Sequence, residues 1–236
     1  MSSLVSYELN DAVATITMDD GKVNALSPAM QAEINAALDQ AAGGAAAGEV
    51  KAVVVAGNSK VFSGGFDLSV FSSGDVAATL GMLAGGFELS VRCLSFPVPV
   101  IMAATGHAIA MGSFLLLSGD HRVGAVTSRC QANEVKIGMT LPNAAIEIMR
   151  MRLTRAAFQR GIAMAAVFTG DAAIAGGWLD EVVEADAVLS RAQEVAAEAA
   201  ATLNTGAHVA SKLKARAEAL TAIRAGIDGL AQEFAG

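Results

Sequence analysis

VKAVVVA at residues 50–56 and, four residues further on, VFSGGFDL at residues 61–68 decide how this chain folds. The first segment is β-branched, of strand length and free of charge after Lys51, which predicts a strand covered on both faces. The second holds a glycine loop, Ser63-Gly64-Gly65-Phe66-Asp67, straight after that strand. The arrangement recurs once. Val98–Ala104 is a second buried strand, and Gly106-His107-Ala108-Ile109-Ala110-Met111-Gly112 a second glycine-containing loop. Between the two units, Asp75–Leu94 reads as a helix weakened by Gly81, Gly85 and Gly86.

Working outward, Val13–Met18 alternates as a strand and ends at the turn signal Asp19-Asp20-Gly21. Ser27-Pro28 is a helix start, with Ser as N-cap and Pro at the first helical position. That helix is expected to run to about Ala42 and to stop at Gly43-Gly44, with Gly43–Gly48 as a flexible surface turn. Gly112–Ser118 reads as a helix and His121–Val126 as a strand. Strand and helix alternating through short loops argue for an α/β layered core. From Asp186 the chain becomes Ala-rich, and two helices, Asp186–Leu203 and Ala207–Phe234, are expected. The predicted division is an α/β core over 1–185 and a helical segment over 186–236.

The 236 residues are 53% hydrophobic and only 17% charged, and the mean hydropathy is +0.48. Such a chain is too apolar to be disordered and has apolar surface to bury in an oligomer. Sixteen Lys and Arg stand against 23 Asp and Glu, a net charge of −7. Duplex nucleic acid is therefore no partner, since phosphate binding needs a basic stripe. Val98–Gly119 is long and uncharged enough to pass for a membrane span. Its two prolines and its glycines favour a strand, a loop and a buried helix, so no membrane span is expected. Two cysteines, Cys93 and Cys130, and an N-terminus without a targeting pattern fit a reducing, cytoplasmic location, with one bridge left open.

Several constellations are absent. The sequence has no GxxxxGK[ST] loop, no GxGxxG after the first strand and no GxSxG elbow. Its three histidines, His107, His121 and His208, lack metal-ligand spacing. What remains are the two glycine loops. Each can aim a backbone N–H into a cleft at the strand ends, and two converging N–H groups make an oxyanion hole. Ordinary tight turns fit the same spacing, and the residues alone leave both possibilities open.

The pair of loops resembles the signature of the crotonase (enoyl-CoA hydratase/isomerase) superfamily. Lys22-Val23-Asn24-Ala25-Leu26 resembles its early NAL element, and Phe62–Leu68 its F-[SC]-[AG]-G-x-D-L loop. Pro97–Asp120, Ala132–Gly138 and Thr169–Val183 resemble its later motifs, in order. The resemblance implies a layered ββα core with a helical C-terminal trimerisation segment. It also implies an acyl-CoA thioester substrate and an enolate intermediate. Coenzyme A is then part of the substrate, and no separate cofactor is implied. By the same resemblance the oxyanion amides belong to Phe66 and Met111, where the family usually has Gly at the second position. The substrate and CoA site falls on Lys22, Ala25, Leu26, Ser63, Gly64, Gly65, Asp67, Leu68 and Phe114. Asp67 also reads as the cap of the turn that follows it.

Hydratases of this superfamily carry two glutamates. The place of the first is Phe114 here, and the place of the second is Glu134. The pattern is similar to single-glutamate Δ3,Δ2-enoyl-CoA isomerases. One base can take a proton from C2 and return it at C4, and Phe114 is expected to dry the pocket and raise the pKa of Glu134. The expected function is therefore Δ3,Δ2-enoyl-CoA isomerisation by a homotrimer or dimer of trimers. Enoyl-CoA hydration with Glu134 alone, or acyl-CoA binding without turnover, are the alternatives. Lys22 and Lys60 are candidates for CoA phosphates. Lys212, Lys214, Arg216 and Arg224 read as the solvated face of the last helix; the resemblance also implies a tail that helps close the CoA site in a trimer, where a neighbouring protomer's lysine can reach a phosphate.

Overall fold

A computed structural model describes residues 3–234. Three ββα units follow one another along the chain, and they explain why two glycine loops meet. In each unit a first strand enters a large sheet and a second, shorter strand enters a small one. The first strands are β3 (Ala52–Ala56), β5 (Val100–Ala104) and β7 (His121–Ala125); the second are β4 (Val61–Ser63), β6 (His107–Ile109) and β8 (Cys130–Gln131). The helices that follow are α2 (Leu68–Ser72) with α3 (Val76–Leu94), α4 (Met111–Leu117), and α5 (Asn143–Arg152) after a 3-10 turn at Glu134–Ile137.

Two further strands, β1 (Val5–Asn10) and β2 (Val13–Met18), open the large sheet, and β9 (Glu181–Val183) closes it. Its order is β1-β2-β3-β5-β7-β9, antiparallel only between β1 and β2. The small sheet runs β4-β6-β8, all parallel. Parallel pairing puts the C-terminal ends of these three short strands side by side. The chain leaving each of them therefore reaches the same edge, where open α/β sheets place ligands.

Every residue of β3 is buried, as its unbroken apolar run predicted. Val53 and Val55 face a core shared with α1 (Pro28–Ala46) and α3. Ala52, Val54 and Ala56 face α8 (Val188–Thr202) through Val188, Ala192 and Ala196. α9 (Thr205–Asp228) packs on α3 and α5, and α10 (Leu230–Glu233) ends the described chain. The 186–236 segment is thus split between the two faces of the large sheet. The remaining helices are α6 (Arg155–Met164) and α7 (Gly170–Gly176).

Several sequence expectations need correcting. The helix from Pro28 does not stop at Gly43-Gly44 but continues to Ala46, and Gly43–Gly48 is no flexible turn. Gly44 is there because a Cβ would lie 2.6 Å from Val50 Cγ2. Its carbonyl accepts both the Glu49 and the Val50 amides, which turns the chain tightly into β3. β1 was not expected, because its hairpin turn lacks glycine. Asp11 and Ala12 take positive φ, 45° and 66°, where Asn-Gly would ordinarily advertise the turn. Lys212 and Arg216 are not on a solvated face. Lys212 Nζ lies 2.9 Å from Asp120 Oδ2, and Arg216 lies 2.8 Å from Oδ1, pinning α9 to the start of β7. Lys214 and Arg224 are exposed as expected.

Val98–Gly119 is no span but strand, short strand and helix. α3 is long and apolar enough to cross a membrane by length and composition. Its Leu83, Phe87 and Leu94 instead lie in the core. Cys93 and Cys130 are both free and buried, and burial pushes each thiol up to about 12.

Candidate active site

A cavity of about 370 Å³ opens where the chain leaves the three short strands. The loop after β4 supplies Gly64, Gly65, Phe66, Asp67 and Leu68, the loop after β6 supplies Ala110, and the turn after β8 supplies Asn133 and Glu134. Val23, Ala25, Phe71, Ile137 and Met139 complete the wall.

The first loop is fixed by a knot around Asn24. This residue is fully buried and holds φ at 51°, a left-handed conformation that Asn tolerates. Its Nδ2 donates to the carbonyls of Met18 at 3.0 Å and Phe62 at 3.2 Å. Asp20 takes the amides of Lys22, Asn24 and Ala25 on its two carboxylate oxygens. The strand end is thereby aligned with residues 23–26. Gly64 N–H donates to Val23 O at 2.8 Å, Leu26 N–H to Gly65 O at 2.8 Å, and Gly65 N–H to Ser63 Oγ at 3.2 Å. Ser63 Oγ donates in turn to Asn24 O. Both glycine amides are consumed; the next one, that of Phe66, donates to no acceptor among the described residues.

The second loop behaves alike. Ala108 and Ala110 donate to the carbonyls of Arg129 and Gln131. Met111 is the first residue of α4, where helix geometry provides no acceptor, and its N–H has no partner among the described residues. The backbone demand for glycine falls one residue earlier than the motif comparison placed it: Ala110 carries φ 50° and ψ −128°. Met111 itself starts an ordinary helix and has no difficulty with a Cβ. The two loops abut, since a Cβ on Gly65 would lie 2.9 Å from Ala110 Cβ and 3.4 Å from Met111 N.

Glu134 begins the 3-10 turn and is 6% exposed. Its Oε2 is buried with no hydrogen-bond partner, and so is Asn133 Oδ1 beside it. Burial raises its pKa to about 7, opposed by a bond from its own amide. Asp67, the other carboxylate in the wall, is occupied. It caps α2, its Oδ1 accepting Ser69 N–H at 2.9 Å and Ser69 Oγ–H at 2.7 Å.

Of the residues singled out in the sequence, Ala25, Gly64, Gly65, Phe66, Asp67, Leu68 and Glu134 line the cavity. Lys22 is exposed just before Val23, and Lys60 is exposed too. Leu26 and Ser63 are buried behind the wall as supports. Phe114 lies in the core behind the site, stacked on Phe87 at 6.2 Å between ring centroids. His107 is exposed and accepts Arg129 N–H on Nδ1. Sequence reasoning passed over Asn133, although it sits inside the motif that yielded Glu134. Phe71 and Met139 carried no signal, because they belong to segments whose course only the tertiary structure sets.

A family model for enoyl-CoA hydratase/isomerase matches residues 8–234. The chain belongs to this family. Its fold is correspondingly that of a probable enoyl-CoA hydratase from Mycobacterium tuberculosis H37Rv, 57% identical, with a TM-score of 0.94 over 98% of this chain and 96% of that one. An apo enoyl-CoA isomerase structure from M. tuberculosis is 56% identical, with a TM-score of 0.93 over 99% of this chain and all of that one. Of several curated relatives the chain spans about half the length. One is a probable enoyl-CoA hydratase from Rhodobacter capsulatus, 33% identical over 146 residues, 59% of this chain and 52% of the relative.

Proposed function

We propose that this family member isomerises Δ3-enoyl-CoA thioesters to the Δ2 form with Glu134 as its single acid/base. The supporting observation is the unpartnered Oε2 of Glu134 in a mostly apolar wall, with Phe114 buried where the resemblance would place a second glutamate. In this reading the thioester oxygen lies between the amides of Phe66 and Met111. Glu134 takes a proton from C2, and the electron pair moves onto the thioester oxygen, giving a dienolate. Donors already aimed at that oxygen stabilise the developing charge without reorganising. The protonated Glu134 then delivers the same proton to C4, and the double bond comes to rest between C2 and C3. No water enters and no atom is gained or lost. A pKa near 7 suits a group that must both accept and return a proton. Coenzyme A enters as part of the substrate, and a trimer or dimer of trimers is the proposed assembly.

A second reading is hydration. Asn133 Oδ1, buried and unpartnered next to Glu134, can hold a water for that carboxylate to activate, and a relative is named a probable enoyl-CoA hydratase. Matched 3-enoyl-CoA and 2-enoyl-CoA substrates separate the two, with product mass and double-bond position as readouts. Isomerisation much faster than hydration is expected; comparable rates on both would give the site to the hydratase reading.

A further inference from the structure

Gly86 lies in the interior of α3, where glycine is unfavourable for a helix. Nothing in the helix itself requires it. What requires it is the space beside it. A Cβ on Gly86 would lie 2.5 Å from Phe66 Cε1, 2.7 Å from Phe66 Cζ and 3.3 Å from Met111 Cγ. The two side chains that meet this one glycine belong to Phe66, which lines the cavity, and Met111, which does not, and both of their amides lack an acceptor among the described residues. They are the first free amide after β4 and the first residue of α4, 45 positions apart in sequence (111 − 66).

The Phe66 ring is half-buried and packs on two other rings. Phe71 meets it edge-on at 6.4 Å and Phe87 at 6.2 Å between centroids. Met111 is fully buried. Gly65, immediately before Phe66, lies so close to the second loop that a Cβ on it would sit 2.9 Å from Ala110 Cβ and 3.4 Å from Met111 N. Pushing the Phe66 side chain therefore strains its own backbone against the second loop. Gly81, five residues earlier on the same helix, would meet nothing within 4 Å on gaining a Cβ.

We infer that Gly86 is a positioning residue, which seats the Phe66 and Met111 side chains against α3 so that their amides stay directed at the cavity. The inference rests on the oxyanion role proposed above. It assigns α3, which does not line the cavity, the task of holding both donors from behind.

The test compares Gly86→Ala and Gly81→Ala in the full-length protein. Two quantities are read: isomerase kcat and KM, and the infrared carbonyl stretch of bound hexanoyl-CoA, a saturated thioester that cannot react. The expected result for Gly86→Ala is a fall in kcat of about 10²-fold with KM changed much less. The carbonyl stretch of the bound thioester moves back toward its value in water. Gly81→Ala leaves both readouts at the wild-type value. If Gly86→Ala keeps its turnover and its carbonyl shift, Gly86 only packs the helix and the inference is wrong. If thioester binding falls while the shift survives, the ring has swung into the cavity instead, which also overturns it. A wild-type protein that binds hexanoyl-CoA without any carbonyl shift has no oxyanion donors, and that result removes the proposed function itself.

Discussion

Two poorly exposed carboxylates, Asp120 with 14% of its side chain exposed and Glu134 at 6%, have opposite surroundings. Asp120, at the entry to β7, is saturated: its Oδ2 accepts Val100 N–H at 2.8 Å and Lys212 Nζ at 2.9 Å, and its Oδ1 faces Arg216 at 2.8 Å. Glu134 has an oxygen with no partner at all. A buried charge with full pairing holds elements together, here α9 against the core. A buried carboxylate with an unpartnered oxygen is unfavourable for the fold, and the chain retains it at a cavity.

The comparison breaks most directly at Glu134. Glu134→Gln is expected to lower isomerase turnover by about 10²–10⁴-fold, measured on a 3-enoyl-CoA, while CoA thioester affinity changes little. Its folded stability should hold or rise, since a poorly solvated ionisable group is gone. Asp120→Asn should show the reverse. Buried Lys212 and half-buried Arg216 are left without their counter-charge, and chemical denaturation should report a loss of about 3–5 kcal/mol. Turnover per folded molecule should stay near the wild-type value.

A pH titration of stability sharpens the same contrast. Glu134 has its pKa raised from 4.5 to about 7 in the folded state. The folded protein therefore keeps a proton that the unfolded chain releases, and stability falls as pH rises through that window. The full difference is about 3 kcal/mol. Denaturation midpoints at pH 4.5 and 7.5 should show this fall in the wild type and lack it in Glu134→Gln. The smallest effect belongs to Asp67→Ala. Losing the cap of α2 should cost about 1 kcal/mol and leave turnover within a few-fold. A collapse of turnover there would make Asp67 a second acid/base group and end the single-carboxylate account.

The long apolar strands and the loops after them were legible because burial on both faces leaves an unmistakable run, as in Val53-Val54-Val55. Glu134 was legible through its motif. The small sheet was not, since β4, β6 and β8 are two or three residues long and too short for any periodicity. The Asp11-Ala12 hairpin hid behind residues that rarely adopt positive φ. The pairing of Lys212 and Arg216 with Asp120 joins positions about 90 residues apart, and helical spacing alone cannot distinguish it from a solvated face. Gly85 and Gly86 were seen only as weak points of a helix. Their neighbours, Gln31 for one and Phe66 with Met111 for the other, come from elsewhere in the chain.

The central claim of the proposed function is that one carboxylate carries one proton from C2 to C4. It is tested by single-turnover conversion of a 3-enoyl-CoA carrying deuterium at C2, with the position of the label in the product read by NMR and mass. The single-base account predicts a 2-enoyl-CoA with deuterium at C4, the label having crossed on Glu134 without meeting solvent. A product with only solvent protons at C4 from the first turnover, or one heavier by a molecule of water, would contradict it.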